Sequence, residues 1–259
     1  MLEAMFVVSI VVEIGLPIVL AVWAVKKLGV AWGVIGMGAI AFVFSQLVHI
    51  PLLGALKPVL QIPAITGLPA GTLAIVTGAF YGILAGLCEE PSRWLAFKFL
   101  HERGQKPNNA VALGIGHGGI ESVLFVGISV LSNFVVMLLI RAGSLNIPQI
   151  TPDMVTQYFS MPWHIPLAGA VERVSTIALH IGMSMMVWKS IRHSNWKWLA
   201  GAILVHAVYD GAAVAMVRLG VTTWIVEAVF VVLGALSVYW VVYSLKTETP
   251  LEIEEGQPA

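Results

Sequence analysis

The chain alternates long apolar segments with short polar connections. Seven segments are long enough to cross a membrane, since a spanning helix needs about 20 mostly apolar residues. An outer-membrane barrel would instead show short segments of alternating polarity. The pattern therefore predicts an all-α fold, a polytopic transmembrane helix bundle that forms one domain over residues 1–246. The predicted spans lie near residues 5–25, 30–55, 69–99, 109–140, 166–188, 197–218 and 222–245.

The composition supports this interpretation. Of the 259 residues, 58% are hydrophobic and 11% are charged, and the mean hydropathy is +0.90. A soluble domain carries about a quarter charged residues, so a soluble enzyme and a disordered chain are both excluded. One cysteine, Cys88, cannot form an internal disulfide. The 14 basic and 14 acidic side chains balance, which leaves no basic face for nucleic acid. The predicted location is the cell membrane, as a multi-pass protein.

Lysine and arginine in the connections predict the orientation, because cytoplasmic loops carry an excess of both. The connections after the first, third and fifth spans hold eight of these residues: Lys26, Lys27, Lys98, Arg103, Lys106, Lys189, Arg192 and Lys197. The connections after the second, fourth and sixth spans hold three: Lys57, Arg141 and Arg218. We therefore expect the N-terminus outside and the C-terminus in the cytoplasm, followed by an acidic disordered tail over residues 247–259.

Several ionisable residues fall inside the predicted spans, where they are costly and usually face a partner or a water-filled cavity. Four clusters stand out: Glu89-Glu90-Pro-Ser-Arg93, His117-Gly-Gly-Ile-Glu121, Glu172-Arg173 with His180, and His206-Ala-Val-Tyr-Asp210. Each cluster places one polar residue nine positions from the predicted cytoplasmic end of its helix; the pairs are Glu89 and Lys98, His117 and Asn108, His180 and Lys189, and His206 and Lys197. Nine residues of helix rise about 13 Å. This common depth predicts a single site.

The spacing within the clusters indicates acid–base chemistry. Residues four apart share a helix face, so we expect Glu121 beside His117 and Asp210 beside His206. Glu89 and Arg93 are also four apart, which predicts an ion pair that leaves the other glutamate free as a general base. Such a set suits amide hydrolysis, with a glutamate that activates water and histidines that stabilise the oxyanion. Water would enter through a polar cavity open to the cytoplasm.

The four clusters, in this order, resemble the YhfC family of intramembrane peptidases, within the PrsW, CAAX-type prenyl protease and Aph group. That group typically shows a Glu-Glu pair followed by a basic residue, a Gly-rich helix with an acid, a helix with Arg and then His, and a final His-x-x-x-Asn/Asp. The likeness covers about residues 80–211. Arg93 follows Glu89 by four residues rather than five, and Thr176 stands where CAAX-type proteases usually carry Phe. Both departures favour a YhfC- or PrsW-like protein.

The resemblance implies a metal-free, glutamic-type intramembrane endopeptidase without cofactors, acting on a membrane-anchored or transmembrane peptide or protein in the lipid bilayer. It implies catalytic roles for Glu89 or Glu90, His180 and His206, and supporting roles for Arg93, His117, Glu121, Asp210 and Arg173.

Other interpretations stay open. His117 suits structural packing as well as a site role, and Glu172 with Arg173 suits a structural ion pair. There is no His-Glu-x-x-His motif of the zincin type. A zinc-dependent peptidase with ligands from a glutamate and the histidines His117, His180 and His206 is nevertheless an alternative. A second alternative is a non-catalytic scaffold that binds transmembrane segments, as the Aph subunit does, and a third is a small transporter.

Overall fold

The computed structural model describes residues 1–101, 106–144 and 149–248, and the regular elements in this part of the chain are all helical. Seven helices are long and apolar enough to cross a membrane, as the sequence predicted. They are α1 (Leu2–Leu28), α2 (Trp32–Gln61), α3 (Ala70–Leu100), α4 (Pro107–Arg141), α5 (Pro166–Arg192), α6 (Lys197–Arg218) and α7 (Thr223–Thr247). Two short helices, Pro63–Thr66 and Pro152–Phe159, lie in the connections. The predicted acidic tail lies, from residue 249 onward, outside the described residues.

Proline and glycine mark several helix ends. Pro107 and Pro166 occupy the first turns of α4 and α5, where the missing N–H would have no partner within the helix. Gly29 after α1 and Gly220 after α6 adopt positive φ angles of 67° and 73°. These left-handed conformations stop a helix and are accessible to glycine at little cost.

Several pairs of helices are in close contact through small residues, among them α2 with α4 and α3 with α6. Between α2 and α4, a Cβ added to Gly38 would lie 2.1 Å from the carbonyl oxygen of Leu113, and one added to Gly116 would lie 1.9 Å from that of Ile35. Between α3 and α6, a Cβ on Gly82 would lie 2.1 Å from the carbonyl oxygen of Ala207. These backbones touch only because the side chains are absent, a common basis of helix contact in membranes.

The bundle is most tightly packed at the end that carries Lys189 and Lys197, here called the lysine-rich end. Many side chains of α4 and α5 in this half are fully buried, among them Ala110, Ala112, Leu113, Met185 and Val187. Nearer the opposite, lysine-poor end, α4 exposes Leu124, Phe125 and Ile128. α5 is the central helix, in contact with α1, α4, α6 and α7.

Candidate active site

Helix α3 contributes two acids and an arginine to the candidate site, Glu89, Glu90 and Arg93. Glu90 and Arg93 are both fully buried, and Nη1 of Arg93 lies 3.1 Å from one carboxylate oxygen of Glu90 and 3.2 Å from the other. The expected ion pair between Glu89 and Arg93 is therefore wrong. Residues three and four apart are both neighbours on a helix, and the contacts of Arg93 with two histidines orient its guanidinium toward Glu90.

Arg93 joins α3 to α4 and α5. Its Nε donates to Nδ1 of His117 at 3.3 Å, and its Nη2 lies 2.7 Å from Nδ1 of His180. A guanidinium has donors only and stays protonated in proteins. Each imidazole therefore accepts at Nδ1 and, as a neutral ring, carries its proton on Nε2.

Glu89 is oriented by α2 and α4 rather than by Arg93. Nε2 of Gln46 donates to one of its carboxylate oxygens at 3.0 Å, and Nε2 of His117 lies 3.0 Å from the other. Sequence reasoning missed Gln46. The available signal was an amide side chain in an apolar run, three residues before His49.

His206 has a carboxylate at each ring nitrogen. Its Nδ1 lies 2.7 Å from Oε1 of Glu90. Its Nε2 lies 3.3 Å from Oδ2 of Asp210, the neighbour expected from the spacing of four, and 3.8 Å from Oε2 of Glu89. Because carboxylates only accept hydrogen bonds, both nitrogens of this imidazole are placed to donate.

A second chain of charged groups runs from His180 toward the lysine-poor end. Nε2 of His180 lies 2.6 Å from Oε2 of Glu121, and Nη1 of Arg173 donates to Oε1 of Glu121 at 2.9 Å. Arg173 also pairs with Glu172, the ion pair that the sequence suggested. The expected pairing of Glu121 with His117 is wrong, because His117 is held by Glu89 and Arg93, and Glu121 is drawn toward α5.

The structure thus joins the nine predicted site residues in one network across α3 to α6. Three other ionisable groups within the spans stay apart from it. Neither carboxylate oxygen of the fully buried Glu13 has a hydrogen-bond partner among the described residues, and the same holds for Oε2 of Glu227 and Nε2 of His49. A further contact that sequence reasoning missed joins α5 to α6, where the hydroxyls of Thr176 and Tyr209 lie 2.8 Å apart.

Three members of the network have the composition of a metal site. Glu89, His117 and His180 each offer one ligand atom, and these atoms lie within 4.8 Å of one another. One carboxylate and two imidazoles are common zinc ligands, so the donor types fit. While Arg93 donates to Nδ1 of both rings, however, neither neutral histidine keeps a free lone pair. Metal binding by these histidines therefore requires the guanidinium to withdraw.

Comparison with known proteins identifies the family. The family model described as "YhfC intramembrane metalloprotease" matches residues 11–231. The chain is 32% identical, over 237 residues, to the protein described as "Uncharacterized membrane protein YhfC" from Bacillus subtilis (strain 168), covering 88% of this chain and 90% of that protein. No solved structure matches. The YhfC resemblance and the multi-pass membrane location are confirmed. The family's description indicates a metal, which goes against the metal-free expectation and agrees with a metal-dependent peptidase.

Proposed function

The chain belongs to the YhfC family of intramembrane metalloproteases, and from this membership and the buried polar network we propose that it is an endopeptidase that cleaves a membrane-anchored or transmembrane substrate. The observation that carries the mechanism is the relation between Glu89 and His206. Oε2 of Glu89 faces Nε2 of His206 at 3.8 Å, a gap in which reacting atoms are within reach of both groups.

Glu89 is the general base of this proposal. Both oxygens of Glu90 already contact Arg93, and one of them also contacts His206. Glu89 has no contact with Arg93; its partners are the amide of Gln46 and Nε2 of His117. A carboxylate without a strongly held cation is the better proton acceptor, because ion pairing favours the charged form.

In the proposed reaction, the oxygen of a water molecule attacks the peptide carbonyl carbon while one water proton passes to Oε2 of Glu89. The carbonyl oxygen becomes the oxyanion, and the N–H at Nε2 of His206, which faces Asp210 in the free site, donates to it. Glu89 then passes its proton to the amide nitrogen as the C–N bond breaks. The products are a carboxylic acid and an amine.

The metal that the family description implies would be held by Glu89, His117 and His180, and Glu89 would then be a ligand, so its role as the general base belongs to the metal-free form of the reaction. Zinc bound there would supply Lewis-acid polarisation of water or of the carbonyl. His206 lies outside this trio and is held at Nδ1 by Glu90. It therefore keeps its Nε2–H for the oxyanion in either form of the reaction.

The test is peptide cleavage by the purified full-length chain in proteoliposomes, against a panel of membrane-anchored peptides. We expect the wild type to cleave at least one peptide, and Glu89→Gln and His206→Gln each to lower the rate by about 10²–10⁴-fold. Glu227→Gln is the matched control, because Glu227 is a buried acid outside the network, and it should keep wild-type activity. Cleavage that survives Glu89→Gln would refute the proposed base.

A further inference from the structure

The members of the network differ in how far they reach solvent. Glu90, Arg93 and His117 are fully buried, whereas the side chain of Glu172 is 39% exposed and that of Asp210 is 37% exposed. On α5, Glu172 lies between His180 and the lysine-poor end, and on α6 Asp210 lies between His206 and the same end. Exposure of the network therefore increases in one direction, toward the lysine-poor end.

The network is less exposed in the opposite direction. Fully buried side chains of α4 and α5 separate the network from the lysine-rich end. A cavity of about 750 Å³ lies at that end between α2 and α3, and an apolar cavity of about 330 Å³ lies between α5, α6 and α7. The described residues that line these two cavities include no member of the network.

The two exposed carboxylates lie beside one contact between α5 and α6. The hydroxyl of Thr176 contacts the main-chain carbonyl of Glu172 at 2.8 Å and the hydroxyl of Tyr209, which precedes Asp210 in the chain, also at 2.8 Å. Asp210 lies 13 residues from Lys197 and eight from Arg218, well inside α6. At this depth a partly exposed charge faces a water-filled cleft rather than lipid, because lipid would leave it unsolvated.

The short helix Pro152–Phe159, which lies at the lysine-poor end, leaves this cleft free. It packs over the ends of α1 and α4, where the Tyr158 ring stacks on Phe6 at 5.4 Å and the Arg141 guanidinium lies 4.9 Å from the Phe159 ring. This short helix therefore covers the α1 and α4 side of the bundle, and His164, later in the same connection, contacts Trp224 of α7.

We propose that the peptide substrate and the hydrolytic water enter from the lysine-poor end, through an opening between α5 and α6 lined by Glu172 and Asp210. This direction is opposite to the cytoplasmic opening that the sequence suggested. The inference rests on the proposed function, and it selects substrates whose scissile bond can reach the depth of Glu89 and His206 from the lysine-poor end.

Cysteine accessibility tests the direction of entry. Cys88 is the one cysteine of the chain, so Cys88→Ser gives a cysteine-free background. Glu172→Cys and Asp210→Cys report on the opening. Ala202→Cys is the matched control on α6, because Ala202 is fully buried one turn to the lysine-rich side of His206. Lys197→Cys and Thr222→Cys, both at exposed positions, mark the two faces of the membrane.

A membrane-impermeant maleimide is applied to one face at a time in sealed vesicles of both orientations. We expect Glu172→Cys and Asp210→Cys to be labelled from the face at which Thr222→Cys reacts, at least about tenfold faster than Ala202→Cys, because only a hydrated thiol forms the reactive thiolate. Labelling from the face of Lys197→Cys, or labelling no faster than that of Ala202→Cys, overturns the proposal.

Gel filtration in detergent shows which variants are folded, and Glu172→Cys alone decides the direction if Asp210→Cys fails this check. Labelling requires no catalysis. If the labelling is as expected and no peptide is cleaved, the proposed function fails while the direction of entry stands. If peptides are cleaved and labelling comes from the other face, the inference fails while the proposed function stands.

Discussion

Oε1 of Glu90 lies 2.7 Å from Nδ1 of His206, so an acid of α3 directly orients an imidazole of α6. The same carboxylate neutralises Arg93. Glu90 therefore resembles the carboxylate that holds a catalytic histidine in position more than it resembles a proton acceptor. The two adjacent glutamates consequently have separate tasks, and substitutions at the two positions should have different effects.

We expect Glu90→Gln to destabilise the protein and Glu89→Gln to leave its stability nearly unchanged. Removing one partner of a buried ion pair leaves the other charge uncompensated, which costs about 3–5 kcal/mol. Glu89 pairs with no arginine or lysine, and its ionisable partners are the imidazoles of His117 and His206. The midpoint of thermal unfolding in detergent measures this difference. Equal midpoints for the two variants would contradict the assignment.

Metal binding should depend on His117 and not on His206. Of these two histidines, His117 alone belongs to the trio Glu89, His117 and His180, whose ligand atoms lie within 4.8 Å of one another. Loss of one of three protein ligands should weaken zinc binding by at least about tenfold. Metal content by mass spectrometry and zinc titration of His117→Gln and His206→Gln give the comparison. A wild-type protein that retains no zinc and whose activity is unaffected by a chelator would support the metal-free route instead.

The contact between α2 and α4 should not tolerate a methyl group at Gly116. A Cβ there would lie 1.9 Å from the main-chain oxygen of Ile35, so Gly116→Ala forces the two backbones apart. We expect a loss of at least about 1–3 kcal/mol in the free energy of unfolding. Gly36→Ala is the matched control on α2, because its Cβ would meet no atom within 4 Å. That variant should be as stable as the wild type or slightly more stable.

A pH-dependent contact ties the end of α7 to α5. Burial raises the pKa of the Glu248 carboxyl, but hydrogen bonds from Lys189 at 2.9 Å and His193 at 3.2 Å, with the charge of these partners, leave that pKa below its ordinary value. A carboxyl whose pKa is lowered by folding stabilises the protein above its unfolded pKa, and the effect is lost as the pH falls through the folded pKa.

We therefore expect the wild type to unfold at a higher temperature than Glu248→Gln at neutral pH, with the difference shrinking as the pH falls below about 4.5. Asp153→Asn, which alters an exposed acid on a short helix, is the control. A difference between wild type and Glu248→Gln that is constant down to about pH 3 would argue against this contact as its source.

The sequence predicted the seven spans and the common depth of the polar residues, because the length of a span and the distance from a charged helix end can both be counted along the chain. The structure extends the first span to Leu2–Leu28 and the second to Trp32–Gln61, where less apolar flanking residues continue the helix. The pairings were harder to predict. Glu121 contacts His180 rather than His117, and Arg93 contacts Glu90 rather than Glu89.

These errors have a physical cause. The spans are apolar on most of their faces, so hydrophobicity does not fix how each helix is rotated about its axis. Adjacent residues point about 100° apart, and a modest rotation of α3 exchanges the partners of Glu89 and Glu90. Gln46 was missed for a related reason, since its role depends on which face of α2 meets α3.

Glycine contacts hold α2 close to α4 and α3 close to α6, as two closely packed pairs of helices. Glu89, Glu90 and His206 all belong to the second pair. A transmembrane segment that enters between the two pairs would move them apart, while Glu89 of α3 and His206 of α6 keep their relative positions. Such a separation would break the contacts of Glu89 with Gln46 and His117, and those of Arg93 with His117 and His180. Their re-formation around a bound peptide would couple closure of the bundle to readiness for hydrolysis.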